Sequence, residues 1–97
     1  MASQDIKKVI LNHSRDNVVT AKSRIAAGTV LTFSKGRKIS VKEEIPFGHK
    51  IALRRIPKGG MVIKYGERIG RAIRAIGPGD LVHTHNVEGD RGKGKQR

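Results

Sequence analysis

A short pattern that recurs four times constrains the fold of this chain more than any other feature of its sequence. Each copy has isoleucine, two residues, glycine, two residues and then an aliphatic residue, and the copies span 25–31, 45–51, 56–62 and 76–82. Glycine accepts positive φ at no steric cost, and proline fixes φ at about −65° at the second position of a turn. The flanking aliphatic residues attach each turn to a core. The pattern predicts a compact fold that uses one kind of corner repeatedly.

Between the corners, apolar side chains recur with a period of two, which is typical of strands. Residues 29–33 and 38–41 flank a stretch at 34–37 that resembles a hairpin turn. Residues 18–26 are interpreted as a strand that runs into one helical turn. The sequence therefore predicts a small, mostly β domain with short strands, many Pro/Gly turns and at most one short helix.

Length and composition exclude several classes of protein. A chain of 97 residues forms one domain and buries only about 60–65% of its unfolded surface, too little for a deep cavity of its own. The absence of cysteine excludes disulfides, thiolate metal sites and cysteine nucleophiles. The first residues have no cationic lead into an apolar run, and no stretch approaches the roughly 18 apolar residues of a membrane span. We therefore expect a cytoplasmic protein without a membrane segment.

The formal net charge of +13 is the strongest bulk signal. Such a charge suits nucleic acid, an acidic partner protein or a small anion. Three aromatic residues in the whole chain offer little for base stacking, and no nucleic-acid-binding motif is present, so nucleic acid is the weaker alternative. Residues 1–4 are expected to be a flexible start, residues 5–88 the folded domain, and residues 89–97 a disordered basic tail.

His83 and His85 form the first candidate site. If His83–Asn86 continues a strand, the two imidazoles project from one face, as does Leu81, and can share a metal ion or bind a carboxylate. One strand supplies two ligands at most, so a metal would need others from elsewhere. The alternative is a pair of solvated or structurally satisfied histidines.

Five further polar residues are candidates for contact with a small ligand. Asp16 and Asn17 lie in a polar stretch between two apolar segments, where they either contact a ligand or bond their own backbone in a turn. Lys50 and Lys64 lie in apolar segments and can hold a carboxylate, unless they are solvated cations on an outer face. His49 directly precedes Lys50.

Four ordered stretches resemble a known family. They are His13–Val19, Ile45–Leu53, Val62–Gly70 and Val82–Val87, written HSRDNVV, IPFGHKIAL, VIKYGERIG and VHTHNV. Together they are similar to the SAF-type N-terminal domain of the altronate and galactarate dehydratases, and to the small subunit of sulfolactate sulfo-lyase. The similarity covers roughly residues 5–88. It implies a small β-clip fold.

The resemblance also implies a function. The chain would be a non-autonomous small subunit that completes the active site of a separate large catalytic subunit. The reaction would remove water from a sugar acid of the altronate or galactarate type and leave a 2-keto-3-deoxy acid. The alternatives are removal of sulfite from sulfolactate, or a role as an interaction module. Relatives of this kind depend on a divalent metal, commonly iron.

With the resemblance as a guide, we expect His83 and His85 to be catalytic groups or metal ligands. Asp16, Asn17, His49 and Lys64 are expected to contact a small anionic hydroxy acid. The role of each histidine stays open. Exposed sheet edges would also allow the isolated chain to self-associate as a homo-oligomer.

Overall fold

The structure, a computed structural model, describes residues 8–89. Within this range the chain forms nine strands, one 3-10 turn at Ser34–Gly36 and no α-helix. The strands are β1 (Val9–Ile10), β2 (Val18–Ala21), β3 (Val30–Thr32), β4 (Lys38–Ser40), β5 (Lys50–Ala52), β6 (Met61–Lys64), β7 (Glu67–Ala72), β8 (Leu81–Val82) and β9 (Val87–Gly89). The expected flexible start and most of the expected tail lie outside the described residues, although Gly89, assigned to the tail, ends β9.

The strands form three antiparallel sheets. The largest has the order β1-β2-β5-β8, a hairpin joins β3 to β4, and the third sheet has the order β6-β7-β9. The turn predicted at 34–37 is confirmed, since it connects the paired strands β3 and β4. The prediction of a small, mostly β domain with short strands is therefore confirmed.

All four predicted corners are present and share one geometry. In each, the amide after the glycine donates to the carbonyl three residues earlier, at 2.7–3.2 Å. Each glycine has a φ between 83° and 89°, as the third position of a type II turn requires. The glycines are Gly28, Gly48, Gly59 and Gly79. The isoleucine that begins each corner is at most 3% exposed, so every corner is attached to the core.

The position of proline in these corners differs from the sequence interpretation. Pro46 and Pro57 are the first residues of their turns, and Pro78 alone of the three prolines occupies the second position. The first corner has no proline at all. Glycine with positive φ, rather than proline, is therefore the shared requirement.

The corners belong to an internal repeat of 31 residues. Ile25 and Ile45 exchange two backbone hydrogen bonds, and Ile56 and Ile76 do the same 31 residues later. Equivalent bonds run from Gly28 to Val41 and from Gly59 to Ala72, and from Gly48 to Ala21 and from Gly79 to Ala52. We call residues 19–51 the first repeat and residues 50–82 the second repeat. The two overlap at Lys50 and Ile51 of strand β5.

Two hydrophobic clusters lie on opposite faces of the four-stranded sheet. Alternate residues of β5 point to opposite faces, so Ile51 packs in the first cluster and Ala52 in the second. The first cluster also contains Leu31 and Phe33 from the first hairpin. The second contains Val62 and Val82, with Ile69 and Val87 only partly buried at its edge.

One expected element is absent from the described part of the chain. The helical turn predicted near the end of residues 18–26 does not form, because β2 ends at Ala21 and Ile25 pairs with Ile45 as an isolated bridge. The backbone of Ile25 is bonded to the distant residue Ile45 and cannot also close a local helical turn. No helix among residues 8–89 is long and apolar enough to cross a membrane.

Candidate functional site

The prediction that His83 and His85 project from one strand face is wrong. Strand β8 ends at Val82, and residues 83–86 form a turn in which the amides of Asn86 and Val87 donate to the His83 carbonyl. The buried Asn86 side chain causes the change, since its oxygen accepts from the His83 amide and its nitrogen donates to the Leu81 carbonyl. Both histidines are exposed on this turn.

The fold brings His83 against a different histidine. The rings of His83 and His49 have centroids 4.7 Å apart, inclined by 46°. Nδ1 of His49 lies 3.3 Å from the Phe47 carbonyl oxygen. Because a carbonyl can only accept, this contact requires a proton on Nδ1 and leaves Nε2 of neutral His49 able to accept one. His85 makes no ring contact with either histidine in the described structure.

Lys50 adjoins this histidine pair and is half-buried. It lies opposite Val82 in the β5–β8 ladder, directly after His49 and one residue from the start of the His83 turn. Burial lowers the pKa of Lys50, and the charge of Lys64 lowers it further. The two lysines are therefore close enough to repel each other.

Lys64 ends β6 beside an unusual turn. Tyr65 and Gly66 both have positive φ, 59° and 73°, so they form a two-residue hairpin loop of type I′. A tyrosine in this region is uncommon, and the ring is 61% exposed. Nζ of Lys64 lies 4.8 Å from the centroid of the Tyr65 ring, a cation–π distance.

A cleft of about 300 Å³ opens where the four-stranded sheet meets the three-stranded sheet. Its polar lining is Lys50, His83 and Thr84, and its apolar lining is Val62, Ile69, Val82 and Val87, with Gly89 completing the wall. Lys50 and Lys64 take part in no ion pair within residues 8–89. The charge of Lys50 is thus available to an anion in the cleft, and Lys64 carries a second charge on β6, two residues after the cleft residue Val62.

Asp16 holds the hairpin loop in place. Its carboxylate is 1% exposed and accepts hydrogen bonds from the amides of Tyr65 and Gly66, at 3.0 and 2.8 Å. The His13 ring packs against Gly66, where an added Cβ would lie 2.9 Å from it. This geometry gives Asp16 a structural task, and its expected contact with substrate stays a prediction.

Asn17 acts on the same hairpin. Its side-chain oxygen accepts from the Ile63 amide at 2.8 Å, and its side-chain nitrogen donates to the Met61 carbonyl at 2.9 Å. The Asn17 side chain therefore pairs with β6 as a strand would. Together, Asp16 and Asn17 position the segment that carries Lys64 and Tyr65, and a direct contact of Asn17 with substrate also stays a prediction.

The described residues do not form a metal site by themselves. Nowhere in residues 8–89 do three histidine, cysteine, aspartate or glutamate side chains cluster as metal ligands. The closest histidine pair, His49 and His83, lies beside the cation of Lys50. This donor set and its positive charge do not fit a divalent cation, so the expected binding of a metal by His83 and His85 would need ligands from elsewhere.

Sequence reasoning separated residues that the fold brings together. The fold groups four residues, which we call the cationic cluster: His49, Lys50, Lys64 and His83. The sequence interpretation instead paired His83 with His85 and did not distinguish Lys50 from Lys64. A signal for Lys50 was nevertheless present. It lies 31 residues after Val19, within the repeat of the corners, so a lysine there occupies a position that the first repeat fills with a core residue.

Comparison with known proteins identifies the family of this chain. Residues 7–90 match the altronate/galactarate dehydratase SAF domain. The chain belongs to this family, as its four ordered motifs predicted.

Curated relatives fall into two groups. Altronate dehydratase of Bacillus subtilis is 40% identical over 83 residues, which are 86% of this chain and 16% of that protein. Galactarate dehydratase (L-threo-forming) of Escherichia coli is 43% identical over 77 residues, 77% of this chain and 14% of that protein. The (2R)-sulfolactate sulfo-lyase subunit alpha of Chromohalobacter salexigens is 38% identical over 65 residues, 67% and 69% of the two chains. The chain thus spans about a sixth of the dehydratases it matches.

Proposed function

We propose that this chain is a non-autonomous subunit of a lyase that acts on small hydroxy acids, and that its cationic cluster holds the carboxylate of the substrate. The observation that carries the proposal is a cleft lined by Lys50 and His83, with the His49 ring against His83 and the charge of Lys64 near Lys50. Neither lysine has an ion-pair partner within residues 8–89. A half-buried lysine without a counter-ion is costly for stability, and such groups concentrate at functional sites.

The chemistry of β-elimination gives this cluster a role. A base removes the proton α to the carboxylate, the electron pair forms a carbon–carbon double bond, and the β-hydroxyl leaves as water after it gains a proton. The resulting enol becomes a 2-keto-3-deoxy acid. Negative charge grows on the carboxylate as the proton leaves, and fixed cations lower the energy of that state. Lys50 and Lys64 would supply them.

The histidines suit proton transfer. Neutral His49 presents Nε2 as an acceptor, and His83 lies against it with an exposed ring. Imidazole side chains commonly act as general acids and bases in enzymes. On this proposal, His83 serves as the acid or base, with His49 beside it, and His85 on the same exposed turn remains open to a partner.

The remaining catalytic groups would come from a larger polypeptide. The sulfo-lyase relatives are described as subunit alpha, and this chain covers 69% and 76% of two of them. The dehydratase relatives have the same domain within much longer chains. A divalent metal, iron by the family resemblance, would be bound chiefly by that larger polypeptide.

Release of sulfite from sulfolactate is the second candidate reaction. The match of this chain to 69% and 76% of two sulfo-lyase alpha subunits favours it. The elimination is otherwise the same: loss of the α-proton breaks the bond between the β-carbon and sulfur, sulfite leaves with that electron pair, and a 2-keto acid remains.

The test is purification of the tagged chain from extract of its native cell, followed by an assay of the purified complex. With iron present, the complex is offered altronate, galactarate and sulfolactate, and both 2-keto acid and sulfite are measured. We expect a large chain to co-purify and one substrate to give product. Formation of 2-keto acid without sulfite identifies a hydro-lyase, and equal amounts of both identify a sulfo-lyase.

Lys50→Met is the informative variant, and Lys38→Met is its control because Lys38 is exposed on β4 in the first repeat. Both remove one charge. The first should lower kcat/KM at least tenfold in the purified complex, and the second should leave it within twofold. Recovery of nucleic acid alone, or a complex inactive on all three substrates, would count against the lyase proposal.

A further inference from the structure

Two lysines of the second repeat occupy positions that the first repeat fills with core residues. Lys50 lines the cleft, and Lys64 lies on β6 two residues after the cleft residue Val62. By the 31-residue repeat, Lys50 corresponds to Val19 and Lys64 to Phe33. The strand register supports this, since the pair Val19↔Ile51 becomes the pair Lys50↔Val82. Val19 is 1% exposed and Phe33 is 7% exposed. The second repeat thus replaces an apolar pair by two cations at equivalent places.

Lys50 and Lys64 are close enough for the charge of Lys64 to lower the pKa of Lys50, and neither forms an ion pair within residues 8–89. Arg24 and Glu44, Lys42 and Asp80, and Arg71 and Glu88 form ion pairs elsewhere on the surface. Lys50 and Lys64 are both half-buried, and their like charges repel each other. One negative charge relieves only part of this repulsion, whereas two negative charges on one molecule can neutralise both cations.

The rest of the cleft limits the size and nature of such a molecule. Its floor is built from Val62, Ile69, Val82 and Val87, which offer no hydrogen-bonding side chain. Polar groups therefore have to lie at the mouth, near Lys50 and His83. A volume of about 300 Å³ accommodates a chain of a few carbons and excludes a large anionic polymer from the floor.

We propose that this chain by itself binds a small dianionic hydroxy acid, and that Lys50 and Lys64 select it over a monoanion of the same length. The inference rests on the proposed function for the kind of molecule bound, and it narrows that function to substrates with two acidic groups. Dicarboxylates and carboxylate–sulfonates share this chemistry. On this view, altronate, with one carboxylate, is the poorer substrate.

The experiment compares ligands that match in carbon number and differ in charge. The full chain, labelled with nitrogen-15, is titrated at fixed ionic strength with galactarate and with gluconate, and then with sulfolactate and with lactate. Amide shifts report both the site and the Kd. We expect each dianion to bind at least tenfold more tightly than its monoanionic match, with shifts at Lys50, Val82 and His83. Whichever of galactarate and sulfolactate has the lower Kd shows whether the site prefers a carboxylate or a sulfonate as the second acidic group.

Variants decide whether the two lysines cause the preference. Lys50→Met and Lys64→Met should each reduce the tenfold preference to threefold or less, while Lys38→Met should retain it. Unchanged amide spectra away from the substitution show that each variant is folded. Equal affinity for both charge classes, a preference that survives Lys50→Met, or no binding of any ligand at 10 mM (about 3 kcal/mol) would overturn the inference. None of these results depends on a partner chain or on turnover, so they leave the lyase assay to be judged separately.

Discussion

The two repeats of this domain share one backbone arrangement and differ in what fills it. In the first, residues 19–51, the hairpin of β3 and β4 packs Leu31 and Phe33 into a closed cluster. In the second, residues 50–82, the hairpin of β6 and β7 directs Val62 inward but follows it with Lys64, and a cleft opens beside it. The first repeat therefore has a closed apolar core, whereas the second repeat has lysines and an open cleft at the equivalent place.

The hairpin loops show the same contrast. Both have a non-glycine residue and then a glycine at positive φ: Lys35 with Gly36, and Tyr65 with Gly66. Of the two loops, only the second donates backbone hydrogen bonds to a buried carboxylate, that of Asp16. The loop beside the cationic cluster is thus the one that is held rigidly, as a binding site requires.

Exchanging the residues at the equivalent positions tests the comparison most severely. Val19→Lys places a cation in the closed cluster and should lower the free energy of unfolding by about 4 kcal/mol or more. Lys50→Met should raise it by up to about 1 kcal/mol, because it removes a half-buried charge that has no counter-ion. Urea unfolding followed by circular dichroism measures both changes.

Val19→Met separates size from charge, because methionine is nearly as long as lysine. We expect it to cost about 1 kcal/mol through overpacking alone. The comparison fails if Val19→Lys costs no more than Val19→Met, since the first repeat would then tolerate a cation as readily as the second.

The next largest effect concerns the loop that Asp16 holds. Asp16→Ala leaves the amides of Tyr65 and Gly66 without an acceptor and should cost about 3 kcal/mol. In the first repeat, the Arg37 guanidinium donates to the Leu53 carbonyl from a more exposed position. Arg37→Met should cost about 1 kcal/mol. Equal costs in urea unfolding would mean that the two hairpins are held equally firmly.

Local features were predictable from the sequence because their causes are local. A corner needs a glycine at positive φ between two aliphatic residues, and all of that lies within seven consecutive residues. The hairpin at 34–37 was predictable for the same reason. The tasks of Asp16 and Asn17 were not predictable, because their partners lie 44–50 residues away.

The candidate site shows where such reasoning stops. The spacing of His83 and His85 suggested a strand, but the side chain of Asn86 bonds the backbone on both sides of the turn and ends β8. The contact between His49 and His83 exists because β5 pairs with β8, and no local pattern shows which strands pair. The half-burial of Lys50 follows from the same pairing.

The pH dependence of stability provides a smaller test of the second repeat. Burial and Lys64 lower the pKa of Lys50 in the folded chain below its ordinary value of 10.5. Between the lowered value and 10.5, the unfolded chain binds more protons, so stability rises with pH through that window and the cost of the charge is fully present below it. The effect should stay under about 1 kcal/mol, since the side chain still reaches water.

The measurement is urea unfolding of the chain and of Lys50→Met at several pH values up to 10.5. The advantage of the methionine variant should be constant at low pH and shrink as pH rises through the window. An advantage that grows with pH would contradict the lowered pKa. Lys38→Met, on the first hairpin, should show no such trend because Lys38 is exposed in both states.

The smallest expected effect concerns two threonines in different settings. The Thr20 hydroxyl is buried without a hydrogen-bond partner in the described structure, opposite Lys50 in the β2–β5 ladder. Thr29, in the first corner, donates its hydroxyl to the Ala26 carbonyl at 2.7 Å. Thr20→Val should therefore be neutral or stabilise by up to about 0.5 kcal/mol, whereas Thr29→Val should cost about 1 kcal/mol. If Thr20→Val costs as much as Thr29→Val, the Thr20 hydroxyl has a partner in solution, and the face that carries Lys50 is better hydrated than its packing indicates.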